Sequence, residues 1–283
     1  MEAPKGKIVA IGGNEDKGSV PRPADEQLGD NIRFFEQGIL RRIHDELHGL
    51  GTRIEVVTTA SLIPEEVGQA YLDAFLLLGC DNVGVLHIRD AADANKAEYL
   101  ERLAKADGVM FTGGNQTRLA EIFPGSQALQ LLKTRYMQEE KFLISGTSAG
   151  AMALTHIMIE QSKETIPLVK GMVRLCEGLG LVNQVVIDTH FVNRRRIPRL
   201  IETIAANPSL IGIGLGEDTG ILITNGDCVE TIGSGLVILI DGRKLDENNY
   251  ATAGEGEALC LENLIMHVLP KGKEFWINTG KIM

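Results

Sequence analysis

Apolar residues recur along this chain with two periods, and the alternation between them predicts a layered α/β fold. Residues 7–11 form a short apolar run that ends at Gly12-Gly13 and reads as a strand, followed by a polar, proline-bearing loop to about Asp30. From 31 to 50, Ile32, Phe35, Ile39, Ile43, Leu47 and Leu50 keep the spacing of one helix face. Strand patterns at 54–58, 82–88, 109–112 and 142–145 then alternate with helical patterns at 65–78, 91–106 and 128–139. Such βαβα alternation implies a mostly parallel sheet with helices on both faces, a three-layer arrangement. Ligands on such sheets bind beyond the carboxyl ends of the strands, where Gly12-Gly13, Gly113-Gly114 and Gly146-Thr147-Ser148 all fall.

After Gly178 the rhythm changes. A strand at 185–188, a helix at 196–206 and a strand at 211–215 are followed by short apolar runs at 221–224, 229–232 and 236–240. Turns this short between strands predict antiparallel pairing, placed as an extension at one end of the sheet. With no long linker, repeat or low-complexity segment, residues 1–283 are expected to form a single domain.

Composition narrows the function classes. A chain of 283 residues buries a sizeable core without covalent staples. Cys80, Cys176, Cys228 and Cys260 are widely spaced with no C-x-x-C pair, so they are expected to be core thiols in a reducing compartment. Acidic residues outnumber basic ones 38 to 28, and a net charge of −10 disfavours nucleic acid and anionic membranes as partners. The N-terminal apolar run is too short for a signal peptide and no stretch is long enough to span a bilayer, so a cytoplasmic protein is expected. Against the acidic background, Arg194-Arg195-Arg196 with Arg199 stands out as a basic cluster.

The chemistry-bearing stretch is FLISGTSAGAMAL, residues 142–154. It passes from a strand through Gly146-Thr147-Ser148-Ala149-Gly150 into helix formers, the G-x-S-x-G pattern that lifts a serine hydroxyl above a sheet. The first amides of the following helix, that of Ala149 among them, point to where an oxyanion would form. Without a base, the same stretch is an ordinary Gly-rich turn. Among six histidines, His190 lies at a predicted strand end on the same edge as Ser148, and the next strand end offers Glu217 or Asp218 as the orienting acid. Backbone donors around Gly113, Gly114 and Asn115 in FTGGNQ complete an oxyanion hole, each such donor contributing on the order of 3 kcal/mol. The order Ser, His, acid differs from that of the α/β-hydrolases. This chemistry calls for no metal and no cofactor. HDELH at 44–48 has zinc-protease spacing, but Asp45 stands where the motif needs Glu. AIGGNED lacks both dinucleotide spacing and a P-loop lysine, and is expected to let the chain pass close to the active site.

Taken in order and spacing, FTGGNQ, ISGTSAGAMAL, DTHFVNRRRIPRL and GIGLGEDTGILI resemble the cyanophycinases, in the serine peptidase family that also contains the α-aspartyl dipeptidases called peptidase E. The pattern D-x-H-F-x-x-R-x-R-x-x-R-L separates the cyanophycinase branch from the dipeptidase branch. The resemblance implies a class I glutamine amidotransferase-like, flavodoxin-like fold, with Ser148 as nucleophile, His190 as base and Glu217 as acid. It further implies that Gln116, Asp188, Arg194, Arg196 and Arg199 line the substrate site, that the substrate is a peptide or polymer rich in Asp and Arg, and that the protein is a homodimer. Arginine forks grip carboxylates and Asp188 would receive a guanidinium. One position departs: these relatives usually carry glutamine before the histidine, where this chain has Thr189, a shorter side chain expected to enlarge or re-aim the pocket. The activity implied is serine exopeptidase cleavage of arginine-decorated polyaspartate to β-Asp-Arg. An aspartyl or isoaspartyl dipeptidase, or a silent ligand-binding relative, are the alternatives.

Overall fold

The computed structural model describes residues 2–18, 30–47, 51–163 and 168–283. In chain order the elements are β1 (Lys7–Ile11), α1 (Asp30–Gln37), α2 (Ile39–Glu46), β2 (Ile54–Val57), α3 (Pro64–Leu77), β3 (Val83–Leu86), α4 (Ala97–Lys105), β4 (Gly108–Phe111), α5 (Gln116–Ile122), α6 (Gln127–Gln138) and β5 (Leu143–Thr147). There follow α7 (Ala149–Ala153), β6 (Ile157–Ser162), β7 (Val173–Glu177), β8 (Val185–Asp188), α8 (Ile197–Ala206), β9 (Ile211–Leu215), β10 (Thr219–Thr224), β11 (Cys228–Gly233), β12 (Val237–Asp241), β13 (Ile265–Leu269) and β14 (Glu274–Trp276).

An eight-stranded sheet runs in the order β14-β11-β10-β1-β5-β4-β2-β3. The five strands from β1 to β3 are parallel, and β10, β11 and β14 add an antiparallel extension at one edge. Because successive side chains of a strand point to opposite faces, β1 serves two cores. Ile8 and Ala10 pack with residues of β4, β5, α5 and α6, while Val9 and Ile11 pack with Phe34, Ile39, Leu40, Ile43, Tyr71 and Phe75 from α1, α2 and α3. The result is the three-layer, mostly parallel α/β fold, with apolar layers on both sides of one sheet.

The extension is composed differently from what the strand spacing predicts, with β14 as its outer strand in place of β12. Although β12 follows β11 closely, it pairs with β9 and β13 in a separate four-stranded sheet of order β13-β12-β9-β8. All five residues of β12 are buried, and an apolar run buried on both faces carries no mark of the neighbour it will choose. The β6–β7 hairpin, α5, β13 and β14 are elements that the periodicity did not disclose. The helix expected over 31–50 breaks at Gly38, whose extended backbone (φ −64°, ψ 154°) separates α1 from α2. Glycine in a helix interior costs roughly 1 kcal/mol, which makes it a natural breakpoint. The end of that expected helix, His48 to Leu50, lies outside the described residues, as does most of the loop expected before it. The cysteines are not uniformly core thiols: Cys80 is buried, Cys176 and Cys228 are half-buried and Cys260 is exposed. No described helix is long and apolar enough to cross a membrane.

Candidate active site

The site lies where β1, β4 and β5 end. His190 and Glu217, which their position in the sequence predicts on the sheet that carries Ser148, instead follow β8 and β9 of the four-stranded sheet. Ser148 follows β5 with φ 51° and ψ −114°, a backbone conformation that non-glycine residues rarely adopt. The turn is so tight that a Cβ at Gly146 would stand 2.6 Å from the carbonyl carbon of Gly150, which explains why the flanking positions are glycine. The hydroxyl is thereby carried out of the buried strand into a half-buried position. Its Oγ stands 3.0 Å from Nε2 of His190, and Nδ1 of that ring stands 2.7 Å from Oε1 of Glu217. Side chains at three distant positions thus form a single hydrogen-bonded line, the geometry that general-base activation of a hydroxyl requires.

Geometry also separates the two adjacent acids. Asp218 has φ 46°, and its carboxylate turns away from the imidazole to accept from the amide of Asp16 and the hydroxyl of Ser234. Glu217 faces the ring, and Asn193 donates to its other oxygen at 3.2 Å. Sequence reasoning missed Asn193 and also Asn14, whose side chain is a second hydrogen-bond partner of Glu217. Adjacency to Gly12-Gly13 was the one available signal for Asn14. The hydrogen bond from His190 above all, with that from Asn14, holds the Glu217 carboxyl below the usual carboxylate range. For His190 burial outweighs the neighbouring carboxylate. Burial pushes the imidazole below its ordinary value, Arg194 and Arg196 push the same way, and the bond to Glu217 offsets only part of this.

The candidate oxyanion donors divide. Asn115 is occupied within the fold: its amide donates to the carbonyl of Ala60 at 2.9 Å and its side chain caps α5 by accepting from the amide of Thr117. Gly114 has φ 139° and backbone contact with Ala60 that a Cβ would obstruct. Its amide and that of Ala149, at the start of α7, remain as the candidate pair.

The basic cluster is not a solvated helix face. Arg199 is buried and grips Asp188 with both its Nε, at 2.6 Å, and its Nη2, while its Nη1 reaches Ser162 at 3.0 Å. Arg196 lies 3.4 Å from the same carboxylate and donates to the carbonyl of Thr189 at 2.8 Å. Asp188, wholly buried, also accepts from the amide of Thr189, so its lone pairs are spent on this chain's own donors and are not free for a substrate guanidinium. Thr189 is wholly buried as well, and its hydroxyl has no hydrogen-bond partner among the described residues. Gln116 spends its amide donors on the carbonyls of Ile159 and Glu160, tying the β6–β7 hairpin beside the site. Arg194 and Arg195 are exposed on the turn after His190. Two guanidinium groups, Arg196 and Arg199, share the one Asp188 carboxylate. Burial and the charges of Arg199 and Arg194 push the Arg196 guanidinium down to about 10, as expected where positive charge lacks enough counter-charge.

A strained serine, a histidine and a glutamate in line at the strand ends of a three-layer α/β fold define the class of a serine hydrolase. The model of peptidase family S51 matches residues 34–231, and the chain belongs to that family: it is a serine-type peptidase. It is 33% identical over 278 residues to a cyanophycinase of Synechococcus elongatus, covering 98% of this chain and 81% of the relative. To a cyanophycinase of Geminocystis herdmanii it is 29% identical over 279 residues, 99% of this chain and 96% of the relative. The crystal structure of a peptidase from an acI-B1 Actinobacterium superposes with a TM-score of 0.64 at 18% identity over 98% of both chains, a likeness of fold.

Proposed function

We propose that this peptidase is an exopeptidase of cyanophycin, in which Ser148 is the nucleophile, His190 the general base and Glu217 the orienting acid. The observation that carries the catalytic part is the line Ser148 Oγ, His190 Nε2, His190 Nδ1, Glu217 Oε1 at 3.0 and 2.7 Å. Ser148 Oγ attacks the scissile carbonyl carbon while its proton passes to Nε2, and the amides of Gly114 and Ala149 receive the oxyanion. The imidazolium, stabilised by Glu217, then protonates the leaving amine. In the second half water attacks the acyl-serine carbonyl while the same ring takes its proton; the acyl–Oγ bond then breaks, the ring returns the proton to Ser148 Oγ, and the carboxylic acid product leaves.

The substrate part is supported by the cyanophycinase relatives and by the exposed positive charge of Arg194 near His190. A guanidinium group suits the free carboxylate at a chain end, and a net charge of −10 attracts the guanidinium groups of an arginine-decorated polymer. The same reading includes a cytoplasmic homodimer, which sedimentation and cell fractionation test. Two measurements test the function. A fluorophosphonate should label Ser148 in the native protein, and the enzyme should release β-Asp-Arg from the polymer faster than it cleaves plain aspartyl dipeptides. Absence of labelling at Ser148 overturns the mechanism, and the reverse substrate order replaces the polymer with a dipeptide of the peptidase E kind.

A further inference from the structure

Three backbone amides of the site donate to three consecutive carbonyls. Ser148 N donates to Ile11 O, His190 N to Gly12 O and Asp218 N to Gly13 O, each at 2.9 Å. These same residues have φ of 51°, 47° and 46°, so the segment leaving β1 holds the serine, the histidine and the neighbour of Glu217 in backbone states that none of them would keep alone. Gly13, with φ 100°, lies so close to the His190 ring that a Cβ would collide with it. The segment itself is pinned by Glu15. Its carboxylate, buried and unused by the proposed chemistry, accepts from Thr147 Oγ1 at 2.6 Å, from Lys17 Nζ at 2.9 Å and from the hydroxyl of buried Tyr71. Thr147 is the residue before Ser148.

We propose that Glu15 is a positioning residue for the peptidase reaction, its buried carboxylate locking the β1 exit to the serine elbow and thereby setting Ser148 against His190. This rests on the assignment of Ser148 and His190 above. A carboxylate taken wholly out of water is retained where it is paired and fully hydrogen-bonded, and here Lys17 supplies the charge while Thr147 and Tyr71 supply hydroxyl donors. Of the three partners, only Thr147 belongs to the elbow. Loss of the Thr147 bond therefore frees the serine turn directly, whereas loss of the Tyr71 bond removes a donor from the same carboxylate on α3, away from the elbow. Misplacement of reacting groups by ~1 Å costs on the order of 10²-fold in rate.

The test is the maximal rate of Ser148 phosphonylation by a fluorophosphonate, measured separately from the reagent's apparent affinity and beside the thermal midpoint of each variant. Thr147→Val and Glu15→Gln should lower the maximal rate by about 10- to 100-fold, with apparent affinity changed less than about twofold. Tyr71→Phe should lower it at least about fivefold less than Thr147→Val does at a comparable loss of thermal stability. If Glu15→Gln does not fold, Thr147→Val, which deletes a single hydroxyl, still decides the matter. A parent-like rate in folded Thr147→Val overturns the proposal, as does equal slowing by Tyr71→Phe and Thr147→Val. No labelling of the parent at Ser148 overturns the assignment of the nucleophile instead, which keeps the two failures apart.

Discussion

Two carboxylates serve the neighbourhood of His190 in opposite ways. Glu217 is half-buried and keeps one oxygen on the imidazole and the other on Asn193. Asp188 is wholly buried and saturated by Arg199, Arg196 and the amide of Thr189. On the proposed mechanism Glu217 answers a proton moving during the reaction, and it stands half-buried against the titrating His190. An acid that fixes geometry is sealed, because a buried charge is tolerated only where its partners leave nothing unmet. Asp188 therefore organises Arg196 and Arg199.

Replacing Ser148 sets the scale against which both carboxylates are read. Ser148→Ala should lower turnover by at least ~10³-fold, with circular dichroism and the thermal midpoint close to the parent's, since the hydroxyl belongs to the cleft. Near-parent turnover would remove the serine from the mechanism. Asp188→Asn should act on the fold: leaving the buried Arg199 without its counter-charge costs about 3–5 kcal/mol, read as a lower urea midpoint. An unchanged midpoint with weakened substrate binding alone would mean that Asp188 faces the substrate after all.

Glu217→Gln should do the converse, lowering kcat/KM by about 10²-fold, ~2.7 kcal/mol of transition-state stabilisation, with little change in the urea midpoint. A large loss of stability here would erase the distinction between the two acids. Arg194→Ala should raise KM about fivefold, while Arg195→Ala, on the same turn without a partner in the site, should leave KM alone. Equal effects would make the cluster a diffuse field and not a grip. The smallest effect concerns pH. His190 must be neutral to take the serine proton, so activity rises with pH as the ring deprotonates. Because burial and the two arginines lower its value, the midpoint of kcat/KM should fall below about 6.5. A midpoint above that would show that Glu217 outweighs burial.

Much of this protein is legible in local pattern. The strands β1, β8 and β9 fall at the residues that the apolar runs mark, and Gly146, Ser148 and Gly150 can be read as an elbow because a strand-to-helix turn with positive φ constrains its own few residues. Alternation does not by itself bring Ser148 and His190 together, because β8, which ends before His190, lies in the four-stranded sheet and not beside β5. Other features depend on partners far away in the chain. The choice of Glu217 over Asp218 was open from the residues alone, and the resemblance favoured Glu217. In the structure the geometry turns on φ at Asp218 and on the carbonyl of Gly13 that receives its amide. The sealing of Arg199 against Asp188, the loss of the Asn115 amide to Ala60 and the sign of the His190 shift likewise need the packed neighbours. So does the placement of β12 in the second sheet. Backbone conformation and apolar period are properties of a short stretch, and a sequence fixes them locally. Desolvation, charge pairing and strand neighbour are properties of what the fold brings alongside, and only the tertiary structure decides them.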